Sequence, residues 1–364
     1  MNDNEKMIFH YIKEDPFISQ QKLSDKVGLS RSAVANIISG LVKKEYIKGK
    51  AYVVNDAPTI VCIGAANIDR KFYVGSDLIE GTSNPVETSK SVGGVARNIA
   101  ENLGRLDEVV TFITACGDDN EWQMIKEATS PFVNVDQVHK IPNASTGSYT
   151  AVIDSSGSMI YGFADMAVYD AISPDLLMKN EQLLSRAGCI IVDLNIPKDS
   201  IEFLCSFSLK HDIKMVIVPV SGPKMKNLPE KLHNVEWIIV NKDETETFFN
   251  VDISTSDDLA QAAEMWNQYG VKNVIVTNST ESLVYAGKSG TKQYDIEESK
   301  LVVDVTGAGD AFSAAVIFGS LSGMDIESSI HLGLINSRET VSTDYTVRHN
   351  LNKEILLNKL EERK

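Results

Sequence analysis

The sequence predicts an α/β protein with a mostly parallel sheet and helices on both of its faces, preceded by a small helical domain. Short apolar runs alternate with helical patterns along most of the chain, as they do where crossover helices join parallel strands. Helical periodicity dominates the first segment instead, and a polar, proline-containing linker at residues 55–58 follows it. With 364 residues, 43% of them hydrophobic, the chain is long enough for two cores. We therefore divide it into a head, residues 1–55, and a body, residues 58–364.

Three helices and a hairpin are predicted in the head. Apolar residues at helical spacing over 7–12 form the first helix, which Pro16 ends. The second helix ends at Gly28, because glycine is the commonest residue after a helix end. Ser30 is a suitable N-cap for the third, and residues 46–54 then predict a hairpin.

This order of elements resembles winged helix-turn-helix domains, in which the third helix enters the major groove of DNA. The resemblance implies that Arg31, Ser32, Asn36 and Ser39 face the bases and that Lys43, Lys44, Lys48 and Lys50 contact phosphates. Residues 1–55 contain nine Lys and Arg against six Asp and Glu, a net charge of +3, whereas the remainder carries −18. This asymmetry favours duplex DNA as a partner of the head alone. The alternative is a head that has lost DNA binding and serves in dimerisation or docking.

The predicted body sheet begins with an apolar strand at residues 59–63 that ends at Gly64. Further strands are predicted at residues 109–114, 189–192, 214–218, 237–240 and 273–277. A hairpin over residues 148–161, with residues 71–74, predicts a small antiparallel β lid beside the main sheet. A lid of this kind would exclude water from a reacting group.

Residues 304–312, with the sequence DVTGAGDAF, form the strongest chemical motif. They follow an apolar run at 301–303, predicted as a strand, and precede a helix predicted over 311–321. Gly307 and Gly309 allow backbone N–H groups to converge at the helix start, which is an anion-binding arrangement. Asp310 at the same point can accept the proton of an attacking hydroxyl. The alternative is an ordinary turn with Asp310 as the helix cap.

The motif resembles the C-terminal signature of the PfkB family of carbohydrate and nucleoside kinases. The family's N-terminal signature, a glycine pair followed by asparagine, is matched by Gly93, Gly94 and Asn98. Its Asn-x-x-Glu motif is matched by Asn241 and Glu244. The three motifs stand in the family's order and span the body, so the resemblance implies a ribokinase-like fold and ATP-dependent phosphorylation of a primary hydroxyl.

The resemblance also implies a role for each matched residue. Asp310 is the base, and the anion hole is formed by Gly307, Ala308 and Gly309. The nucleotide contacts Asn241, Glu244, Thr277, Thr306, Gly307 and Gly309, and Asn241 and Glu244 hold Mg²⁺ through water. The substrate contacts Asn67, Asp69, Gly93, Gly94 and Asn98. Residues 333–337 line the adenine pocket, and a monovalent cation lies near Asp304 and Thr306.

Some of these roles have simpler alternatives. Asn67 also suits a turn, and Asn98 also suits a helix start. The glycine that the family usually has two places after Thr277 is Ser279 here, which leaves the exact nucleotide contacts open.

Within the family, residues 82–103 are most similar to pseudouridine kinases. On this basis we predict that Ser83, Asn84, Arg97 and Asp165 reach the base of a nucleoside. Another nucleoside or a free pentose is the alternative substrate. A transcription regulator that uses the kinase fold as a sensor is the alternative function, although an intact Asp310 favours catalysis.

Composition excludes several other classes of protein. The sequence has no apolar run of the roughly 18 residues that a membrane span requires, so we expect none. A polar, acidic start and four cysteines without a C-x-x-C pair favour the reducing cytoplasm. Six scattered histidines give no structural zinc pattern. A homodimer is our expectation for the assembly.

Overall fold

The structure is a computed structural model that describes residues 1–15, 17–44, 46–47, 59–75, 78–297, 299 and 301–363. The chain divides into two compact units, Met1–Asp56 and Ala57–Lys364. No helix in the described ranges is both long and apolar enough to cross a membrane.

The described residues of the head form three helices, of which the first begins earlier than the predicted residues 7–12 and the third begins after Ser30 as predicted. They are α1 (Asp3–Glu14), α2 (Gln20–Val27) and α3 (Arg31–Lys43). Ser19 accepts a hydrogen bond from the first turn of α2, and Ser30 does the same for α3. Gly28 ends α2 in the left-handed conformation, with φ 67°. The helix-turn-helix prediction is therefore confirmed.

A small apolar core joins these helices. Its buried members are Ile8, Leu23, Val34, Ile38 and Leu41. The predicted hairpin lies outside the described residues except for Tyr46 and Ile47, as do Lys48 and Lys50.

The body alternates strands with helices along most of its length. Its strands are β1 (Thr59–Ile63), β2 (Asn67–Val74), β3 (Val86–Gly93), β4 (Val110–Ile113), β5 (Ala115–Cys116), β6 (His139–Lys140), β7 (Ser148–Ile153), β8 (Met159–Asp165), β9 (Ala187–Asp193), β10 (Lys214–Val218), β11 (Val235–Asn241), β12 (Asn273–Asn278), β13 (Ser282–Gly287) and β14 (Gly290–Asp295). Its helices are α4 (Val95–Arg105), α5 (Asn120–Thr129), α6 (Pro174–Met178), α7 (Glu181–Leu184), α8 (Lys198–His211), α9 (Lys242–Phe249), α10 (Ser256–Gln268), α11 (Ala308–Leu321), α12 (Ile326–Thr340) and α13 (Lys353–Glu361).

The main sheet has eight strands in the order β14-β13-β12-β11-β10-β9-β1-β4. The strands from β12 to β4 are parallel, and β13 and β14 add an antiparallel edge. An apolar cluster covers each face of this sheet, so the parallel strands are buried on both sides. The prediction of a mostly parallel sheet is confirmed, although the sequence analysis did not find β13 and β14.

The lid is a second sheet with the strand order β3-β2-β7-β8. Two details of the predicted lid are wrong. The pair β2–β7 is parallel, and β2 starts at Asn67 rather than at residue 71. β3 was not predicted, because its first five residues are exposed and polar side chains dominate the strand. The longer β2 matters for function, since it places Asn67, Asp69 and Lys71 on one face of the lid.

The prediction of a strand at residues 301–303 is wrong. Each of these side chains is more than half exposed, and the segment belongs to no sheet of the described residues. Val303 and Asp304 instead donate their N–H groups to the carbonyl of Val341. Val302 and Val305 line a cavity, so these apolar side chains form part of the cavity wall and not of the core.

Candidate active site

The site begins at the amino end of α11. Gly307 has φ 83°, and a Cβ on it would lie 2.2 Å from the carbonyl oxygen of Thr346, so only glycine fits there. Ala308 donates its N–H to the carbonyl of Val305 at 3.2 Å, which leaves the N–H groups of Gly309 and Asp310 as the next donors of the first turn. A Cβ on Gly309 would meet no atom within 4 Å, so this part of the turn borders open space. The turn can therefore receive an anion.

Asp310 lies in the first turn of α11 and is held by α4. The Nδ2 atom of Asn98 donates to Oδ2 of Asp310 at 2.8 Å. Burial raises the pKa of Asp310 to about 7, with Asp193 and Asp69 adding to the increase and Asn98 opposing it. A carboxylate with this pKa can accept a proton from a hydroxyl near neutral pH.

Two adjacent glycines bring α4 close to the lid and to β1. A Cβ on Gly93 would lie 2.1 Å from Oδ2 of Asp69, and one on Gly94 would lie 2.4 Å from the carbonyl of Ala65. Gly94 also has φ 106°, which disfavours any other residue. The glycine pair is therefore required for backbone approach, and it places Asn98 one turn into α4.

Asn67 and Asp69 form a polar pair on the lid strand β2. The Nδ2 atom of Asn67 donates to Oδ1 of Asp69 at 2.6 Å. Burial raises the pKa of Asp69 to about 6, although Asn67 and Lys71 oppose it. Their amide and carboxylate groups suit the hydroxyls of a sugar.

Asn241 is the last residue of β11, and Glu244 lies in the first turn of α9, which follows it. Each side chain caps the other's backbone: Asn241 accepts from Glu244 N–H at 2.8 Å, and Glu244 accepts from Asn241 N–H at 2.9 Å. Burial raises the pKa of Glu244 to about 7, with the charge of Asp243 adding to it.

A cavity of about 710 Å³ lies between the carboxyl end of β11 and the amino end of α11, and its size suits a nucleotide. Its lining includes Asn241, Glu244, Thr277, Ser279, Ala308, Gly309, Asp310, Leu334 and Ser337. Thr277 and two residues of the 333–337 segment therefore lie with the anion-binding turn, on the side of Asp310 that faces β11 and β12.

The comparisons with known proteins agree with this geometry. The model of the pfkB family carbohydrate kinases matches residues 57–349. The chain belongs to this family. A winged helix-turn-helix DNA-binding model matches residues 1–48.

Several relatives of this pfkB kinase cover most of its length. The sugar kinase YeiI of Escherichia coli is 28% identical over 330 residues, 90% of this chain and 91% of the relative. The match covers more residues than the unit Ala57–Lys364 contains, so it extends into the head. The pseudouridine kinase of E. coli is 28% identical over 288 residues, 79% of this chain and 91% of the relative. A structure of Arabidopsis thaliana ribokinase with ribose and ATP has the same fold, with TM-score 0.74 and 20% identity over 84% of this chain and 99% of that one.

The structure does not bring every predicted residue of this pfkB kinase to the site. Arg97 is 3% exposed and donates to Thr129 and Asn98, and it also pairs with Glu101. The prediction that Arg97 reaches a nucleoside base is therefore corrected: its guanidinium is used inside the protein, where it holds the side chain of Asn98.

The other three predicted base contacts lie on exposed parts of the lid region. Asn84 bonds to the backbone of Ile79 and Thr82 within its own loop, and Ser83 beside it is exposed. Asp165 is exposed at the end of β8. Their contact with a base stays a prediction.

Lys71 is a site residue that the sequence analysis missed. Its Nζ lies 2.5 Å from Oδ2 of Asp304 and 3.2 Å from Oγ1 of Thr306. The ammonium group thus lies where the resemblance implied a monovalent cation. The signal was present in the sequence, because Asn67, Asp69 and Lys71 follow the two-residue period of one strand face.

We predict that Asp310→Asn reduces kcat by about 10²–10⁴-fold, the range expected for loss of a general base. The substitution keeps the shape of the side chain, so nucleotide affinity should change little. Steady-state kinetics with any accepted hydroxyl substrate and calorimetric titration with a nucleotide provide the two measurements. A variant that retains most of its turnover would exclude Asp310 as the base.

We also predict that kcat/KM falls about tenfold per pH unit below a pH of about 7, because only the carboxylate form of Asp310 accepts a proton. Asn98→Ala should move this inflection to higher pH, since the Asn98 hydrogen bond lowers the pKa of Asp310. Asp175→Asn is the control, because it removes an exposed carboxyl group on α6 and should leave the inflection in place. A profile without an inflection on the acid side would contradict the assignment.

Proposed function

We propose that this pfkB kinase is an ATP-dependent enzyme that phosphorylates the 5′-hydroxyl of a nucleoside, and that pseudouridine is its preferred substrate. One observation carries the kinase chemistry: Asp310 lines a nucleotide-sized cavity, where Asn98 fixes its carboxylate near enough to Asp69 of the β2 pair for the two charges to interact.

In this proposal, ATP occupies the cavity with its γ-phosphate at the amino end of α11. The acceptor hydroxyl transfers its proton to Asp310 while its oxygen bonds to the γ-phosphorus. The bond from that phosphorus to the β–γ bridging oxygen breaks, and ADP leaves. The N–H groups of the first helix turn stabilise the charge on the transferred group.

The residues at β11 suit Mg²⁺ as a cofactor. Glu244 is 3% exposed, its pKa is raised, and it lines the cavity beside Asn241. A buried carboxylate of this kind is favoured in its charged form when a cation lies nearby. Bound Mg²⁺ would neutralise charge on the phosphate oxygens, and Asn241 and Glu244 would hold it through water.

The substrate assignment is supported by the β2 pair and by sequence similarity. Asn67 and Asp69 suit the vicinal hydroxyls of ribose, which nucleosides and free ribose share. The pattern of residues 82–103 favours pseudouridine, whereas overall identity does not discriminate, since it is 28% both to a pseudouridine kinase and to a ribokinase. Since the Arg97 side chain is bonded to other buried side chains, we assign base recognition to Ser83, Asn84 and Asp165.

We predict that kcat/KM is highest for pseudouridine, about ten- to a hundredfold lower for uridine, and lower again for ribose. Pseudouridine has a ring N–H that uridine lacks, and an acceptor that the bound base covers and uridine leaves unpaired costs about 1–3 kcal/mol. ADP release with the three substrates measures the order, and mass spectrometry should identify a 5′-monophosphate.

Asp165→Asn should reduce the preference for pseudouridine over uridine, because it weakens the proposed acceptor. Asp175→Asn, at an exposed position on α6, is the matched control and should leave the ratio unchanged. If ribose or another free sugar is the best substrate, the nucleoside assignment is wrong while the kinase assignment stands.

A second activity, DNA binding, is favoured by the surface of α3. Arg31, Ser32, Asn36 and Ser39 are exposed on this helix, opposite its buried apolar stripe. Lys44, predicted to contact phosphate, instead pairs with Glu5 at 2.7 Å. The Lys44 side chain is 51% exposed but that of Glu5 is only 11% exposed, so a phosphate contact of Lys44 would have to compete with a half-buried ion pair.

We predict that the full-length protein binds duplex DNA from upstream of its own gene with a steep salt dependence. Lys48→Ala and Lys50→Ala should each flatten the slope of log K against log salt by about one unit. Arg31→Ala with Asn36→Ala should reduce the preference for the specific site over random DNA.

Lys13→Ala is the control, because it removes an exposed charge that belongs to α1 and not to α3. Titrations by fluorescence anisotropy at several salt concentrations measure all variants. An absence of binding at low salt would assign the head to docking.

A further inference from the structure

Lys71 connects the lid to residues 304–307, the loop before α11 that is called the catalytic loop below. It lies on β2 with Asn67 and Asp69, on the face that carries the proposed sugar contacts. Its Nζ pairs with Oδ2 of Asp304 at 2.5 Å, 233 residues later in the chain, and also donates to Oγ1 of Thr306 at 3.2 Å. The two charged side chains are 22% and 26% exposed, so water screens this pair less than a surface ion pair.

Asp304 in turn shapes the loop that ends in the anion-binding turn. Its Oδ1 accepts the N–H of Thr306 at 2.9 Å and the hydroxyl of the same residue at 2.7 Å. Burial acts to raise the pKa of Asp304, but the hydrogen bonds from Lys71 and Thr306 outweigh it and hold the pKa below its usual range. One carboxylate therefore binds the lid through one oxygen and the turn before Gly307 through the other.

The opposite face of the lid has a separate attachment. Arg70 pairs with Glu121 of α5 at 2.9 Å, and Lys90 of β3 approaches the same carboxylate at 3.4 Å. Arg70 and Lys71, which are neighbours on β2, thus hold the strand on two sides, and of these two it is Lys71 that pairs with the catalytic loop. Substitution of Arg70 is therefore a control for substitution of Lys71, because it alters the same strand without removing the contact with the loop.

We propose that Lys71 is a positioning residue, which couples the position of the lid to the conformation of the turn at residues 304–307. This inference rests on the proposed kinase function. When the lid lies over the acceptor, the ammonium group fixes Asp304, which holds Thr306 and directs the N–H groups after Gly307 toward the phosphate. When the lid is displaced, Asp304 loses its cation and the turn loses this constraint. The anion site is then complete only while the acceptor is covered.

The kinetic test compares Lys71→Met, Lys71→Arg and Arg70→Met. Lys71→Met should lower kcat about ten- to a hundredfold, because misplaced groups in a catalytic turn cost rate. Lys71→Arg should recover most of this loss, and Arg70→Met should stay within about twofold of the wild type, the small effect expected of an ion pair near the surface. Adding ammonium chloride should partly restore Lys71→Met, because methionine leaves only the ammonium position empty, whereas choline chloride at the same ionic strength should not, because choline is too large for the site.

Two kinetic outcomes would overturn the proposal. One is a Lys71→Met variant with unchanged kcat. The other is an equal loss in Arg70→Met, because the effect would then come from lid stability and not from contact with the loop.

Hydrogen exchange measured without substrates separates this proposal from the kinase assignment. Lys71→Met should increase exchange in residues 304–309, and Arg70→Met should not. Lys71→Gln gives a second variant if Lys71→Met folds poorly. If the wild type phosphorylates no acceptor, the proposed function fails but the exchange result still decides the coupling. Equal exchange of residues 304–309 in the wild type and in Lys71→Met would overturn the coupling itself.

Discussion

The geometry of the site depends on the hydrogen bonds that the carboxylate of Asp193 accepts. It is buried at the end of β9 and accepts backbone N–H groups from the segment after β1, from the first turn of α4 and from its own loop. Gly64 has no side chain because a Cβ there would lie 2.4 Å from this carboxyl group. Burial raises the pKa of Asp193, while the three backbone donors favour its charged form. This one group fixes the start of α4, so Asn98 has a set position from which to hold Asp310.

A buried network of hydrogen bonds extends from α4 to α12 and fixes how these helices are aligned. Asn102 donates to the carbonyl of Asn98, Asn336 donates to Asn102 and to the carbonyl of Ala311, and Arg348 donates to Asn336. Asn102, Asn336 and Arg348 are at most 1% exposed. A shift of one helix along another would leave buried donors unpaired, at a cost of about 1–3 kcal/mol each. Apolar packing alone tolerates such shifts better, so the network specifies how the helices that carry Asn98 and Asp310 are aligned.

The sequence predicted those features that local patterns determine. Apolar runs revealed the parallel strands of the main sheet, and Ser30 marked the start of α3, because capping depends only on neighbouring residues. The sequence analysis failed where the position of a side chain depends on contacts with distant residues. Arg97 looked available for a ligand, but Glu101 and Thr129 hold it inside the protein. The partners of Lys71 are more than two hundred residues away, so no local pattern shows that it meets Asp304. The apolar run at 301–303 matches a strand by composition, yet it lies exposed beside the cavity.

Four carboxyl groups near the site have raised pKa values: Asp193, Asp69 at about 6, and Glu244 and Asp310 at about 7. A carboxyl group whose pKa is higher in the folded than in the unfolded state favours folding below its unfolded value, and this contribution is lost as the pH rises through the folded value. At neutral pH these groups therefore contribute least to stability, and burial is the main cause for each. Lys71 offsets part of this cost, since its charge lowers the pKa of Asp69 as well as that of Asp304. A site that concentrates buried negative charge and then receives phosphates needs positive charge at fixed positions. The ion pair between the lid and the catalytic loop supplies one such charge from within the chain.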